Sequence, residues 1–412
     1  MLNARSVQRH CSDENESARC RLQTDWWTVC MVCLLFVTGG FSWLYVIWRP
    51  HSAVQWLLIA AGINVYVLRL LWTALAKNHS PDNTELRSVL GAANWLTIGR
   101  GFLIGALGGF LFQGPPGSAS QPDWLIWVPG AIYLSAILMD YLDGYLARVM
   151  RSETRLGEWL DTKIDALGLL VAPILAIGYH RLPIYYLSVS LAYYLFQFGI
   201  WHRKQSGQQV ITIKPHPAKR MIAGFQMGLV AVALLPIFSR PVMTVAATIF
   251  MIPLLAGFIR DALVVGGYVK VNDLQQTRWD RHIDFVSTKL LPALLRLIIS
   301  AIVIWLIYDA VFATVTGKHE VAIAILDASI PFDLPVLPVL VTAGLMTALG
   351  FMARSSALMI SMIVAGTLTA WDSPLSHYLL LSCSLTLMLT GSGMHSMWQP
   401  EDKLFLERQG QR

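Results

Sequence analysis

The chain has 412 residues, 55% of them hydrophobic and only 14% charged, with a formal net charge of +6. A mean hydropathy of +0.54 excludes an ordinary water-soluble globular protein and points to several membrane spans. The opening residues carry Arg5, Arg9, Arg19 and Arg21 with no short apolar core and small-residue cleavage site behind them, so no cleaved signal peptide is expected.

Apolar runs of about 20 residues, the length that crosses a bilayer, recur along the chain. The first two are Trp26–Trp48 and Val54–Ala76, joined at Arg49-Pro50-His51. Cys30 and Cys33 form a CxxC inside the first run, with no histidine or second pair nearby. They are read as small buried hydrophobes, with neither a disulfide nor zinc. Arg69 lies within the second run and is read as a structural ion pair or a snorkelling side chain. The polar stretch Lys77–Ala93 is expected as a helix on the membrane surface.

Six runs follow, at about 97–112, 124–147, 162–179, 184–201, 221–238 and 242–267. Four more lie at about 290–308, 334–351, 356–371 and 378–393, giving an all-α polytopic protein of about twelve transmembrane helices. With the N-terminus inside, cytoplasmic segments collect about 25 Lys and Arg and external loops about four, as the positive-inside rule requires. Both termini are then cytoplasmic.

Chemistry concentrates between Asp140 and Asp165, DYLDGYLARVMRSETRLGEWLDTKID. Asp140 and Asp143 stand at i, i+3, and Asp161 and Asp165 at i, i+4, so each pair shares one helix face. A solvated acidic face is the bland alternative. Against it, the pairs sit at the inner ends of two apolar runs, where carboxylates are costly and functional by default. Four carboxylates brought together repel unless cations neutralise them, and oxygen-only ligands suit a hard divalent ion such as Mg²⁺, Mn²⁺ or Ca²⁺. Gly144, Ala147 and Gly157 are interleaved, leaving room for a bulky ligand or a second helix.

Asp140-x2-Asp143-Gly144-x2-Ala147-Arg148-x8-Gly157-x3-Asp161-x3-Asp165 resembles the signature of the CDP-alcohol phosphatidyltransferases at every defined position. The resemblance extends over roughly 86–269 and implies a six-helix core. The implied activity is transfer of a phosphatidyl group from a CDP-linked lipid to an alcohol, with release of CMP. It implies Asp140, Asp143 and Asp161 as ligands of a two-metal Mg²⁺ or Mn²⁺ site. Asp165 is implied both near the metal and as the base. Gly144, Ala147, Arg148, Thr154 and Gly157 are implied around the cytidine. Both aspartate pairs fall on the cytoplasmic side, where a nucleotide-linked substrate is available.

Asn94-Trp95-Leu96-Thr97-Ile98-Gly99-Arg100 is similar to the family's opening motif, with Ala93 in place of its proline. Asn94, Thr97 and Arg100 share one face and are read as nucleotide or phosphate contacts, against helix capping and snorkelling as the structural alternative. Lys219 and Arg220 resemble a lysine-containing segment of phosphatidylglycerophosphate synthases. Arg260 lies in an apolar run at a cost of roughly 2.5–3.5 kcal/mol, as either an acceptor-phosphate contact or an ion pair. The acceptor is open, a phosphorylated polyol such as glycerol 3-phosphate being one choice.

The residues from 271 to 289 read as a polar linker. Those from 290 on resemble the small four-helix DoxX-like membrane proteins through Leu294-Leu295-Arg296-Leu297, Gly350-Phe351-x-Ala353-Arg354 and Leu389-Thr390-Gly391-Ser392-Gly393-x2-Ser396. The expected divisions are therefore 1–85, 86–270, 271–289 and 290–412. Expected partners are the CDP-linked lipid, the alcohol and the bilayer of a bacterial-type cytoplasmic membrane, with no nucleic acid; a homodimer is left open. A non-catalytic cation-binding transporter or assembly protein is the rival reading. It has no use for the nucleotide-site glycines, and no repeated halves or paired broken helices are evident.

Overall fold

The computed structural model describes residues 2–81, 85–116, 122–149, 153–208, 217–267, 289–316, 336–368, 374–394 and 396–398. For residues 2–16, 147–148, 217–221, 309–316 and 336–337 it describes the backbone alone. Among these residues there are twelve α-helices and no strand, only two isolated bridges. The helices are α1 (Leu2–Ile47), α2 (Pro50–Ala74), α3 (Ala92–Gly108), α4 (Val128–Val149), α5 (Arg155–Gly178) and α6 (Leu187–Gln205). They continue with α7 (Pro217–Leu234), α8 (Arg240–Val265), α9 (Leu291–Thr316), α10 (Val336–Leu349), α11 (Ala353–Thr367) and α12 (Leu375–Thr390).

Each of the twelve expected runs falls on one of these helices. Among the described residues, length and apolarity sufficient to cross a membrane are met by five stretches: Ser17–Ile47, Pro50–Lys77, Asp123–Leu146, Arg240–Val265 and Leu291–Tyr308. The others are short, like α3 with 17 residues, or charged, like the first half of α5. Helices packed inside a bundle need not present apolar faces to lipid. The chain is an all-α polytopic membrane protein.

The chain divides into two compact units, Met1–His180 with Val230–Pro236, and Arg181–Leu229 with Ile237–Arg412. In the first unit α3 is the central helix, packed on α2, α4 and α5 and buried along nearly its whole length. Its glycines make that possible. A β-carbon at Gly101 would stand 2.8 Å from Val67 Cγ1, and one at Gly105 would stand 2.5 Å from Asn64 Nδ2. Small residues at this spacing let helix backbones approach closely, the usual device of membrane helix pairs. Trp56 of α2 also donates to Ala106 O at 2.8 Å.

The stretch Lys77–Ala93 departs from expectation. Beyond a single turn at Leu75–Lys77, its described residues up to Gly91 form a loop, with a bridge between His79 and Leu86. Asn78 is fully buried and donates to Arg87 O at 2.9 Å and Val89 O at 3.1 Å. An asparagine side chain that satisfies backbone carbonyls competes with helix formation, and here it wins. Asp25 of α1 accepts from Leu90 N at 3.0 Å and fixes the loop's end.

In the second unit, α9 to α12 pack as neighbours around Arg296. This arginine, 6% exposed, donates to Thr347 O and Ala348 O at the end of α10 and to Ser392 O and Met394 O beyond α12. Arg354 donates to Met388 O at 2.6 Å. Both guanidinium groups donate to carbonyls at or just beyond helix C-termini, where intrahelical donors run out. The three short motifs of this region thus meet at helix ends. Gly350, at φ +67, lies against Arg296, where a β-carbon would stand 2.7 Å from Cζ. The stretch 271–289 lies outside the described residues except for Lys289.

Candidate active site

Three helix ends of the first unit build the site: the start of α3, the end of α4 and the start of α5. They meet because α4 packs antiparallel and α5 parallel on α3. Thr154 caps α5, its Oγ1 accepting from Gly157 N at 3.0 Å, and the same hydroxyl donates to Asn94 Oδ1 at 3.2 Å. Asn94 Nδ2 donates to Asn78 Oδ1 at 3.3 Å. A buried polar chain therefore runs from the loop through α3 to the cap of α5, and Arg155 N donating to His79 O at 3.0 Å closes it from outside. Lys77 Nζ also lies 4.4 Å from the centroid of the Trp159 ring, a cation–π contact.

One turn further in, the carboxylates converge. Asp140, Asp161 and Asp165 each offer an oxygen, and these oxygens lie within 4.8 Å of one another. Asp143 is buried beside them and accepts from Thr97 Oγ1 at 2.9 Å. Arg100 of α3, 3% exposed, reaches into the middle. Its Nη1 bonds Asp140 and lies 3.9 Å from Asp143, while Nη2 lies 2.6 Å from Asp161 and 3.0 Å from Asp165. The donor set is all oxygen and already accommodates a cation, so it fits a hard divalent ion.

The four aspartates, Asn94, Thr97, Thr154 and Gly157 thus lie together at these helix ends. Asn94 and Thr97 are engaged by other side chains of the site. Gly157 serves the approach of a second helix: a β-carbon there would stand 2.7 Å from Asn94 Oδ1. Gly144 sits half-buried on α4, while the side chains of Ala147 and Arg148 lie outside those described. Arg260 is exposed near the end of α8, in the second unit, and Lys219 and Arg220 lie in the first turn of α7 with their side chains outside the description. Arg69 is exposed on α2.

Sequence reasoning missed Asn78 and Trp159. The available signal for Asn78 was an asparagine directly behind a long apolar run, a favoured turn position. It understated Arg100, which is a buried partner of every aspartate in the cluster.

Fold and site define a polytopic membrane protein with a carboxylate cluster at the ends of three helices. Residues 90–255 match the family model for CDP-alcohol phosphatidyltransferase. The chain is also similar to the CDP-diacylglycerol–glycerol-3-phosphate 3-phosphatidyltransferase of Cereibacter sphaeroides, 26% identical over 113 residues, or 27% of this chain and 51% of the relative. The chain therefore spans about half the length of the curated relative it matches. No solved structure matches it significantly.

Proposed function

We propose that this chain transfers the phosphatidyl group of a CDP-linked lipid, such as CDP-diacylglycerol, to an alcohol and releases CMP, with Mg²⁺ or Mn²⁺ at the carboxylate cluster. One observation carries the reading: four aspartates from α4 and α5 converge inside the matched segment. The proposed acceptor is a phosphorylated polyol, glycerol 3-phosphate, because the bacterial relative is named for it. Arg260, Lys219 and Arg220 are carried as contacts for its phosphate on charge alone. Loop charge supports a cytoplasmic site.

The acceptor oxygen attacks the β-phosphorus, the bridging P–O bond breaks, and CMP leaves with the electron pair. Asp165 takes the acceptor's proton, being one turn deeper in the span than Asp161. Asp140, Asp143 and Asp161 would hold the metal, with Asp165 near it and Thr97 fixing Asp143 in place. When bound, divalent ions neutralise the pyrophosphate and the charge on the departing CMP. The polar chain Asn78–Asn94–Thr154 holds α3 and α5 at the spacing the cluster needs.

The test is CMP release by the purified full chain from CDP-diacylglycerol over a panel of acceptors: glycerol 3-phosphate, an inositol phosphate, glycerol and none. Release that stops in EDTA and returns with Mg²⁺ or Mn²⁺ supports the reading. No release with any acceptor and either metal overturns it, and full activity after exhaustive chelation removes the metal.

A further inference from the structure

We propose that Arg100 is the resident counter-cation of the carboxylate cluster, and that divalent ions enter by displacing its guanidinium. This rests on the metal reading above and adds to it a role for one residue of α3. Both terminal nitrogens of Arg100 are spent on the aspartates, Nη1 toward Asp140 and Asp143, Nη2 toward Asp161 and Asp165. The oxygens of Asp140 and Asp161 that Arg100 binds lie on residues of the trio suited to a metal. A hard ion ligates oxygen at about 2.1 Å, too close for a guanidinium to remain between the same oxygens. The two cations compete for one seat.

Two further observations favour exchange over a permanent bridge. Arg100 Nε, though buried, makes no hydrogen bond among the described residues, so the guanidinium is held by its outer edge alone. Charge also balances without it. Four carboxylates and one guanidinium leave three negative charges, whereas four carboxylates and two divalent ions leave none. Before metal arrives, Arg100 offsets the mutual repulsion of the converging carboxylates. Afterwards its planar fork is released toward any phosphate oxygens nearby, the anion it pairs with best.

The experiment measures Mn²⁺ binding by electron paramagnetic resonance, without substrate, in the full-length wild type, Arg100→Lys and Arg100→Gln, with thermal unfolding of each in EDTA. A competitor that leaves the seat open about a tenth of the time weakens apparent affinity about tenfold. Arg100→Gln should therefore bind Mn²⁺ about tenfold tighter, and melt lower in EDTA. Arg100→Lys separates competition for the seat from simple charge. It keeps the positive charge but cannot bridge both aspartate pairs with one ammonium, so it should also bind tighter, by several-fold. Mn²⁺ affinity in Arg100→Lys equal to or weaker than wild type overturns the proposal, whether or not Arg100→Gln folds. If the wild type itself binds no Mn²⁺, the metal reading fails, and the exchange with it.

Discussion

Thr97 Oγ1 donates to Asp143 Oδ2 at 2.9 Å, joining α3 to α4 in the first unit. The bond aims the one aspartate that stands outside the converging trio. Thr97→Val keeps shape and removes the donor, leaving a buried carboxylate oxygen short of a partner at about 1–3 kcal/mol. CMP release should fall about tenfold or more, for each 1.4 kcal/mol is a factor of ten. Thr97→Ser should restore most of it. Steady-state rates of the two variants decide the matter, and a Thr97→Val enzyme as fast as wild type would show that Asp143 needs no aiming.

Gly157 faces Asn94 at a distance no β-carbon tolerates. Gly157→Ala gains helix propensity, about 0.8–1.0 kcal/mol in a helix interior. It must also push away an Asn94 side chain tied to both Asn78 and Thr154. Overpacking of this kind costs about 1–3 kcal/mol, so the variant should be less stable on balance and should lose affinity for CDP-lipid. Thermal melting and lipid titration measure the two effects. A variant more stable than wild type would mean that the polar chain yields freely.

Asn78 lies at the far end of that chain. Asn78→Ala leaves Arg87 O and Val89 O without their donor, at about 1–3 kcal/mol for buried groups. The loop should open to limited proteolysis between residues 79 and 91, with a raised KM for CDP-lipid. Unchanged cleavage would show that Asp25 and the α5 end hold the loop alone.

Within the aspartates the roles should separate. Asp165→Asn is expected to keep much of the metal-dependent affinity for CDP-lipid and to lose turnover about 10²–10⁴-fold, the usual cost of removing a general base. Asp140→Asn should lose both. Titration of each purified variant with CDP-lipid and Mn²⁺ tells them apart. An equal loss of affinity would make Asp165 a further ligand rather than the base.

Arg296 joins helix ends of the second unit through four backbone carbonyls. Arg296→Met should lower the melting temperature, because buried carbonyls lose charged donors worth about 1.5–3 kcal/mol each. Turnover per folded molecule should stay near wild type. A fully folded Arg296→Met protein without CMP release would give the α9–α12 bundle a part in catalysis.

The sequence by itself determined the twelve helices and the two aspartate pairs. Both follow from local rules: apolar runs of membrane-crossing length, and a helical period that puts residues three or four apart on one face. It also marked Asn94, Thr97 and Arg100 as one face of α3. Tertiary structure alone decided what those faces meet. Arg100 could snorkel or bind phosphate as far as its own helix showed; the ends of α4 and α5 surround it with four carboxylates. The interleaved glycines could admit a ligand or a helix, and at Gly157 the occupant is Asn94. Asn78 carried no periodic signal, since a loop residue's partners depend on where distant backbone carbonyls come to rest. Period and hydropathy are properties of neighbours along the chain, whereas the cation among the aspartates is set by residues 40 to 65 positions apart.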